Sequence, residues 1–133
     1  MKQVEIIFVL IVLVILSGCG GVSANDKAVC EAYQALVDVW PADSADVEAA
    51  DSPDDVWDAV TSAGLVLIAA SEAAETAELG AAGKLTGEAA ASFTDRNKSL
   101  VERGFIPFFN EEIIAGSGLS QLCEQIGTPV TLP

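Results

Sequence analysis

The chain has no histidine among its 133 residues, one tyrosine, one methionine, and only 6 lysines and arginines against 20 acidic residues. Without histidine, the Ser-His-Asp and Cys-His nucleophile arrangements cannot be assembled. The usual histidine-containing zinc sites and the Glu-x-x-His pairs of di-iron bundles are excluded with them. No CxxC spacing brings two thiolates together, so a thiolate metal or redox site has no support. A formal net charge of −14 repels nucleic-acid phosphates and an anionic lipid surface alike. No strand pattern runs longer than a few residues, and no repeat recurs at a fixed period. These absences predict a chain that is not an enzyme, takes no metal or other cofactor and has no nucleic-acid partner.

What is present begins with Ile6 to Leu16, IIFVLIVLVIL, preceded by Lys2 and followed by Ser17, Gly18, Cys19 and Gly20. A membrane-crossing helix needs roughly 20 apolar residues. This run meets Glu5 on one side and small residues on the other, so it has the length and flanks of a signal-peptide core. Leu16-Ser17-Gly18-Cys19 resembles the lipobox of bacterial lipoproteins. The resemblance implies that the Cys19 thiol receives a diacylglyceryl group, that the chain is cut before it, and that acyl chains of the palmitate class hold the mature protein to the membrane. The single positive charge ahead of the run, opposed by Glu5, leaves an ordinary cleaved signal or a short anchor as the alternative. Residues 1–18 are thus read as signal peptide and 19–25 as the lipidated cysteine with a short tether. Residues 26–133 form the domain, placed on the extracytoplasmic face of the cell membrane.

Three cysteines are an odd number for an exported chain, and lipidation of Cys19 removes the odd one. Cys30 and Cys123 remain, in a compartment where disulfides persist. Removing residues 1–18 from the 133 leaves 115, a size at which one core is modest and a staple useful.

The domain reads as all-α, a small bundle of about four helices with one disulfide. From Asp26, the residues Cys30, Tyr33, Val37 and Trp40 recur three and four apart and mark a first helix that Pro41 ends. Ser52-Pro53-Asp54-Asp55 is a helix start. Val56, Val60, Ala63, Leu67, Ala70, Ala74 and Ala77 then trace a seam that predicts one long second helix up to Gly80 and Gly83. Its middle, AGLVLIAA, is apolar all round, which predicts neighbours on several sides. Thr86 is placed to cap a third helix reaching Arg103, with Ala89, Phe93, Asn97 and Leu100 on one face and Gly104 as its C-terminal cap. A final helix from about Ser117 carries Leu119, Leu122, Cys123 and Ile126 and stops at Gly127. Both Cys30 and Cys123 fall on inward faces. The layout resembles small two-cysteine helical lipoproteins of high-GC Gram-positive bacteria, a class largely without assigned activity, and the resemblance carries over no catalytic residue.

Five clusters bear on function. Asp43, Asp46, Glu48, Asp51, Asp54, Asp55 and Asp58 concentrate charge around the first loop but do not match a calcium-loop spacing, so a solvated loop is favoured over a cation site. Glu72, Glu75 and Glu78 step by three and read as the wet face of the second helix, while the neighbours Glu111 and Glu112 diverge too far to act as a pair. Arg96, Lys98 and Arg103 suit the end of the third helix, with an anionic partner as the lesser alternative, and Asn97 reads as a register-fixing polar residue. FIPFF places Phe105, Phe108 and Phe109 in a bent connection, where they either plug the bundle or contact a ligand or partner. The expected function is a lipid-anchored interaction or scaffold module at the cell envelope, with an envelope protein as partner. A small-molecule or lipid carrier with an apolar pocket near Phe105 to Phe109, and an envelope immunity or exclusion factor, are the alternatives.

Overall fold

The computed structural model describes residues 21–41, 53–96 and 117–132. All regular structure among them is helical, in the order α1 (Ala24–Val39), α2 (Pro53–Glu72), α3 (Ala77–Ala91), α4 (Phe93–Arg96) and α5 (Leu119–Gln125). The all-α reading and the disulfide stand. Among the described residues there are five helices where about four were expected for the domain, because Ser92 separates a short α4 from α3.

Helix α1 begins at Ala24, two residues ahead of the Asp26 expected from periodicity. Ser23 is its N-cap, its Oγ accepting a hydrogen bond from the Asp26 amide at 3.0 Å; that bond satisfies one of the amides a helix start leaves open. The stripe of Cys30, Tyr33, Val37 and Trp40 is buried, joined by Val29 and Leu36. Helix α2 starts at Pro53, where a fixed φ and a missing N–H cost nothing. Helices α1, α2 and α3 run up, down and up, with α2 packed most extensively on α3 and next on α1.

The predicted long second helix is interrupted. Residues 73–76 form a turn, and α3 begins at Ala77, so Gly80 and Gly83 lie inside α3 instead of ending α2. Thr86, expected as a cap, is in the middle of α3 and fully buried, its hydroxyl bonded to the Ala82 carbonyl at 2.8 Å and to Ser117 Oγ at 2.8 Å. The glycines allow close approach. A Cβ on Gly87 would lie 2.7 Å from the Gly64 carbonyl oxygen, and one on Gly64 would lie 2.7 Å from the Ala91 nitrogen. The two backbones therefore touch where α2 and α3 cross.

At one end of the bundle, Trp40 of α1, Trp57 of α2 and Phe93 of α4 form an aromatic cluster. Trp40 meets Trp57 edge-on at 6.2 Å and Phe93 at 5.2 Å, while Trp57 and Phe93 stack at 5.5 Å. Such pairs add about 0.5–1.5 kcal/mol beyond burial, and these three tie three helices together.

Helix α5 is seven residues long, too short to persist alone. The Cys30–Cys123 disulfide, with Cα atoms 5.6 Å apart, fixes it to α1, and Leu119 is fully buried beside it. Its end is a Schellman motif. Gly127, at φ 78°, lets its amide reach the Glu124 carbonyl and the Thr128 amide reach the Cys123 carbonyl. Beyond it the Gln34 side chain acts like a backbone unit: its Oε1 accepts from the Thr131 amide at 2.8 Å and its Nε2 donates to the Thr131 carbonyl at 3.2 Å.

Two outcomes test this packing. Gly87→Ala should lower stability by about 1–3 kcal/mol through overpacking at the crossing, read as a shift in denaturant midpoint. Replacing Cys30 and Cys123 together by alanine should cost about 2–5 kcal/mol, and hydrogen exchange should show α5 losing protection before α1, α2 and α3.

Candidate functional site

Three features stand out among the described residues: a buried carboxylate that sets the α2–α3 turn, the apolar outer face of α2, and a groove between α3 and α5.

Asp26 is 5% exposed and sits in the first turn of α1, beside the start of α3. Its Oδ1 accepts from the Glu75 amide at 2.8 Å and the Thr76 amide at 3.1 Å, and its Oδ2 accepts from the Thr76 hydroxyl at 2.6 Å. Thr76 is the N-cap residue of α3 but makes no capping bond to its own helix, its hydroxyl proton being given to Asp26. The carboxylate thus lies near two helix N-termini at once, where the helix dipoles favour negative charge. The Thr76 hydroxyl bond, with the two amide bonds beside it, holds the Asp26 carboxyl below its ordinary pKa of 3.8, against the opposing effect of burial. Tyr33 is the converse case. Its ring is fully buried and its hydroxyl has no hydrogen-bond partner among the described residues, and desolvation alone pushes its pKa up to about 12.

The turn at 73–76 reverses the chain so that α3 covers only one side of α2. On the other side Leu65 is 56% exposed and Val66 58% exposed, with Ser62, Ala69 and Ala73 exposed around them. This corrects the expectation that the apolar middle of α2 is surrounded. Ala59 to Ser71 contains no charged residue, yet the strip is bounded by exposed Asp54, Asp55 and Asp58 at one end and Glu72, Glu75 and Glu78 at the other. Those last three are solvated as expected but do not step along one helix: Glu72 ends α2, Glu75 lies in the turn and Glu78 opens α3. The third feature is an open groove of about 590 Å³ between α3 and α5, lined by Glu78, Ala81, Leu85, Ser117, Gln121 and Leu122 among others. Leu85 is 60% exposed at its edge.

Several sequence-predicted positions lie outside the described residues: Cys19; Phe105, Phe108 and Phe109; Asn97, Lys98 and Arg103; Glu111 and Glu112; and Asp43, Asp46, Glu48 and Asp51. Among the described residues no group of three or more cysteines and carboxylates is arranged to hold a metal ion, and no helix is long and apolar enough to cross a membrane. Sequence reasoning missed the α2 strip because it assigned Leu65 and Val66 to contacts on every side. It missed the groove because Leu85, with Lys84 and Glu88 at nearby positions, is a single apolar residue on a polar face and forms no periodic signal. No protein-family model, curated protein or solved structure matches this chain.

Replacing Asp26 by asparagine removes the charge while keeping the shape, and should cost about 2 kcal/mol, since hydrogen bonds to a charged acceptor are the stronger kind. The sign with pH follows from the lowered pKa. The contribution is present above 3.8 and is lost as pH falls through the still lower folded value. Below that value, chemical denaturation of wild type and Asp26→Asn should converge.

Proposed function

We propose that this chain is a lipid-anchored interaction module of the cell envelope, tethered through Cys19, with no catalytic role. The observation that supports this reading best is the pairing of a rigid frame with exposed apolar side chains: Leu65 and Val66 stand more than half exposed on a helix whose other face is locked by the α2–α3 crossing. Exposed apolar patches rimmed by polar residues mark interaction surfaces. A rigid helix face also loses little conformational freedom on binding. The lipobox resemblance at Leu16 to Cys19 supplies the address. An immunity or exclusion factor is one form such a module can take, since blocking another membrane protein needs only a surface and an anchor.

The carrier reading has one observation in its favour, the groove between α3 and α5. The Phe105 to Phe109 segment expected from sequence to form such a pocket lies outside the described residues, and the groove's polar rim of Glu78, Gln121 and Gln125 suits an apolar ligand poorly.

A mass spectrum of the protein released gently from its host's membranes tests the proposal. The expected species starts at Cys19, carries acyl-chain mass, alkylates at two cysteines only after reduction and holds no other bound molecule. Cross-linking on intact cells should recover an envelope protein, and Cys19→Ser should release the domain from the membrane. A chain that keeps its first 18 residues would remove the anchor, and a stoichiometric small molecule would turn the reading to a carrier.

A further inference from the structure

We infer that the outer face of α2 is a docking surface for one amphipathic helix of a partner protein, with an apolar middle and basic residues at both ends. This rests on the interaction-module reading and adds to it the chemistry of the partner.

The strip has the geometry of a helix–helix contact. Ser62, Leu65 and Ala69 recur at spacings of three and four on α2, Ala73 follows four residues on where the turn begins, and all four are exposed, the pattern of one seam for one packed helix. Serine and the two alanines are small, so a partner helix can approach closely, with Leu65 and Val66 as its larger contacts. The ends of the strip are set by charge. Asp58 and Glu72 lie seven residues before and after Leu65, on the same line of the helix, and both are exposed. With about 1.5 Å of rise per residue they stand about 21 Å apart. No lysine or arginine occurs anywhere in α2. A complementary helix therefore carries basic residues about fourteen positions apart, with apolar residues between them.

Charge decides among the occupants. A second copy of this chain laid on α2 in parallel brings Asp58 to Asp58 and Glu72 to Glu72. Laid antiparallel it brings Asp58 to Glu72, so like charges meet at both ends in either case. An anionic lipid surface is repelled by the same two ends and by the −14 net charge. A basic helix is attracted at both ends while its middle buries Leu65 and Val66.

The full-length chain in phosphatidylcholine nanodiscs is titrated with a synthetic alanine- and leucine-rich helical peptide bearing lysines about fourteen positions apart. The same peptide with glutamates in place of the lysines serves as control. Expected are saturable binding of the lysine peptide, at least tenfold weaker binding of the glutamate peptide, and amide shifts confined to the outer face of α2. Leu65→Ser with Val66→Ser should weaken binding about tenfold with thermal stability unchanged, because both side chains are exposed. Asp58→Lys with Glu72→Lys should reverse the preference between the two peptides. Equal binding of both peptides, binding unaffected by the Leu65 and Val66 changes, or no saturable binding overturns the proposal. So does self-association that the Leu65 and Val66 changes abolish, which would assign the face to a second copy. Failure here alongside a retained cellular cross-link leaves the interaction reading standing and removes only this surface; loss of both removes the two together.

Discussion

The Asp26 carboxylate accepts hydrogen bonds from three donors on the turn at 73–76, and the relation of the three long helices follows from where that turn is held. A carboxylate taken out of water is costly unless its lone pairs are filled. Here the filling groups are two amides and a hydroxyl that belong to the start of α3. Because Asp26 lies in the first turn of α1, the same bonds that end α2 fix the first turns of α1 and α3 beside one another. The opposite end is closed by apolar means, with Trp40, Trp57 and Phe93 drawn from α1, α2 and α4. One end is specified by charge and hydrogen bonds, the other by ring packing, and the glycine crossing joins them.

The register that Asp26 imposes on the turn brings Gly64 opposite Gly87 and Ser71 opposite Gly80 and Gly83. Ser71 is buried there, its hydroxyl donating to the Leu67 carbonyl at 2.7 Å, so the polar atom brought to the contact is satisfied within its own helix. A slip of one residue in α3 would turn these glycines away and place side chains of Leu79 or Ala82 size between the backbones. Close contact on this side has a geometric consequence on the other. A helix pressed against α3 on one face and α1 on the next has nothing described on its third, and the residues there are Leu65, Val66 and Ala69.

Much of this was legible from residues alone. The first helix, its buried stripe, the proline that starts α2, the final helix with its glycine stop and the inward placement of Cys30 and Cys123 all follow from local rules: periodicity, caps and the conformational freedom of glycine at Gly127. The break at 73–76 does not. Its sequence, Ala73-Ala74-Glu75-Thr76, sits in a stretch of strong helix formers, and the group that halts it is a carboxylate some fifty residues earlier in the chain. Gly80, Gly83 and Thr86 depart from their local sequence reading for a related reason. In sequence, glycine and threonine read as helix boundaries; in the fold the glycines serve close approach and the threonine a buried hydroxyl pair with Ser117. The α2 strip was half legible. Its apolar character was plain, but which sides are covered depends on the path of α3, which the missed turn decides.

The proposed role also gives the unusual charge balance a physical sense. A domain that leaves Leu65, Val66 and Leu85 more than half exposed risks association with its own copies. Held at high local density by an anchor, it would meet those copies constantly. The −14 charge opposes that encounter over a range set by the Debye length, about 8 Å at physiological salt, and the acidic ends of the strip oppose it again at contact. The same charges raise the encounter rate with a basic surface. Acidity and exposed apolar area are therefore parts of one arrangement: the first rejects most of what the second would otherwise bind, and leaves a basic, helical complement as the surface that meets both.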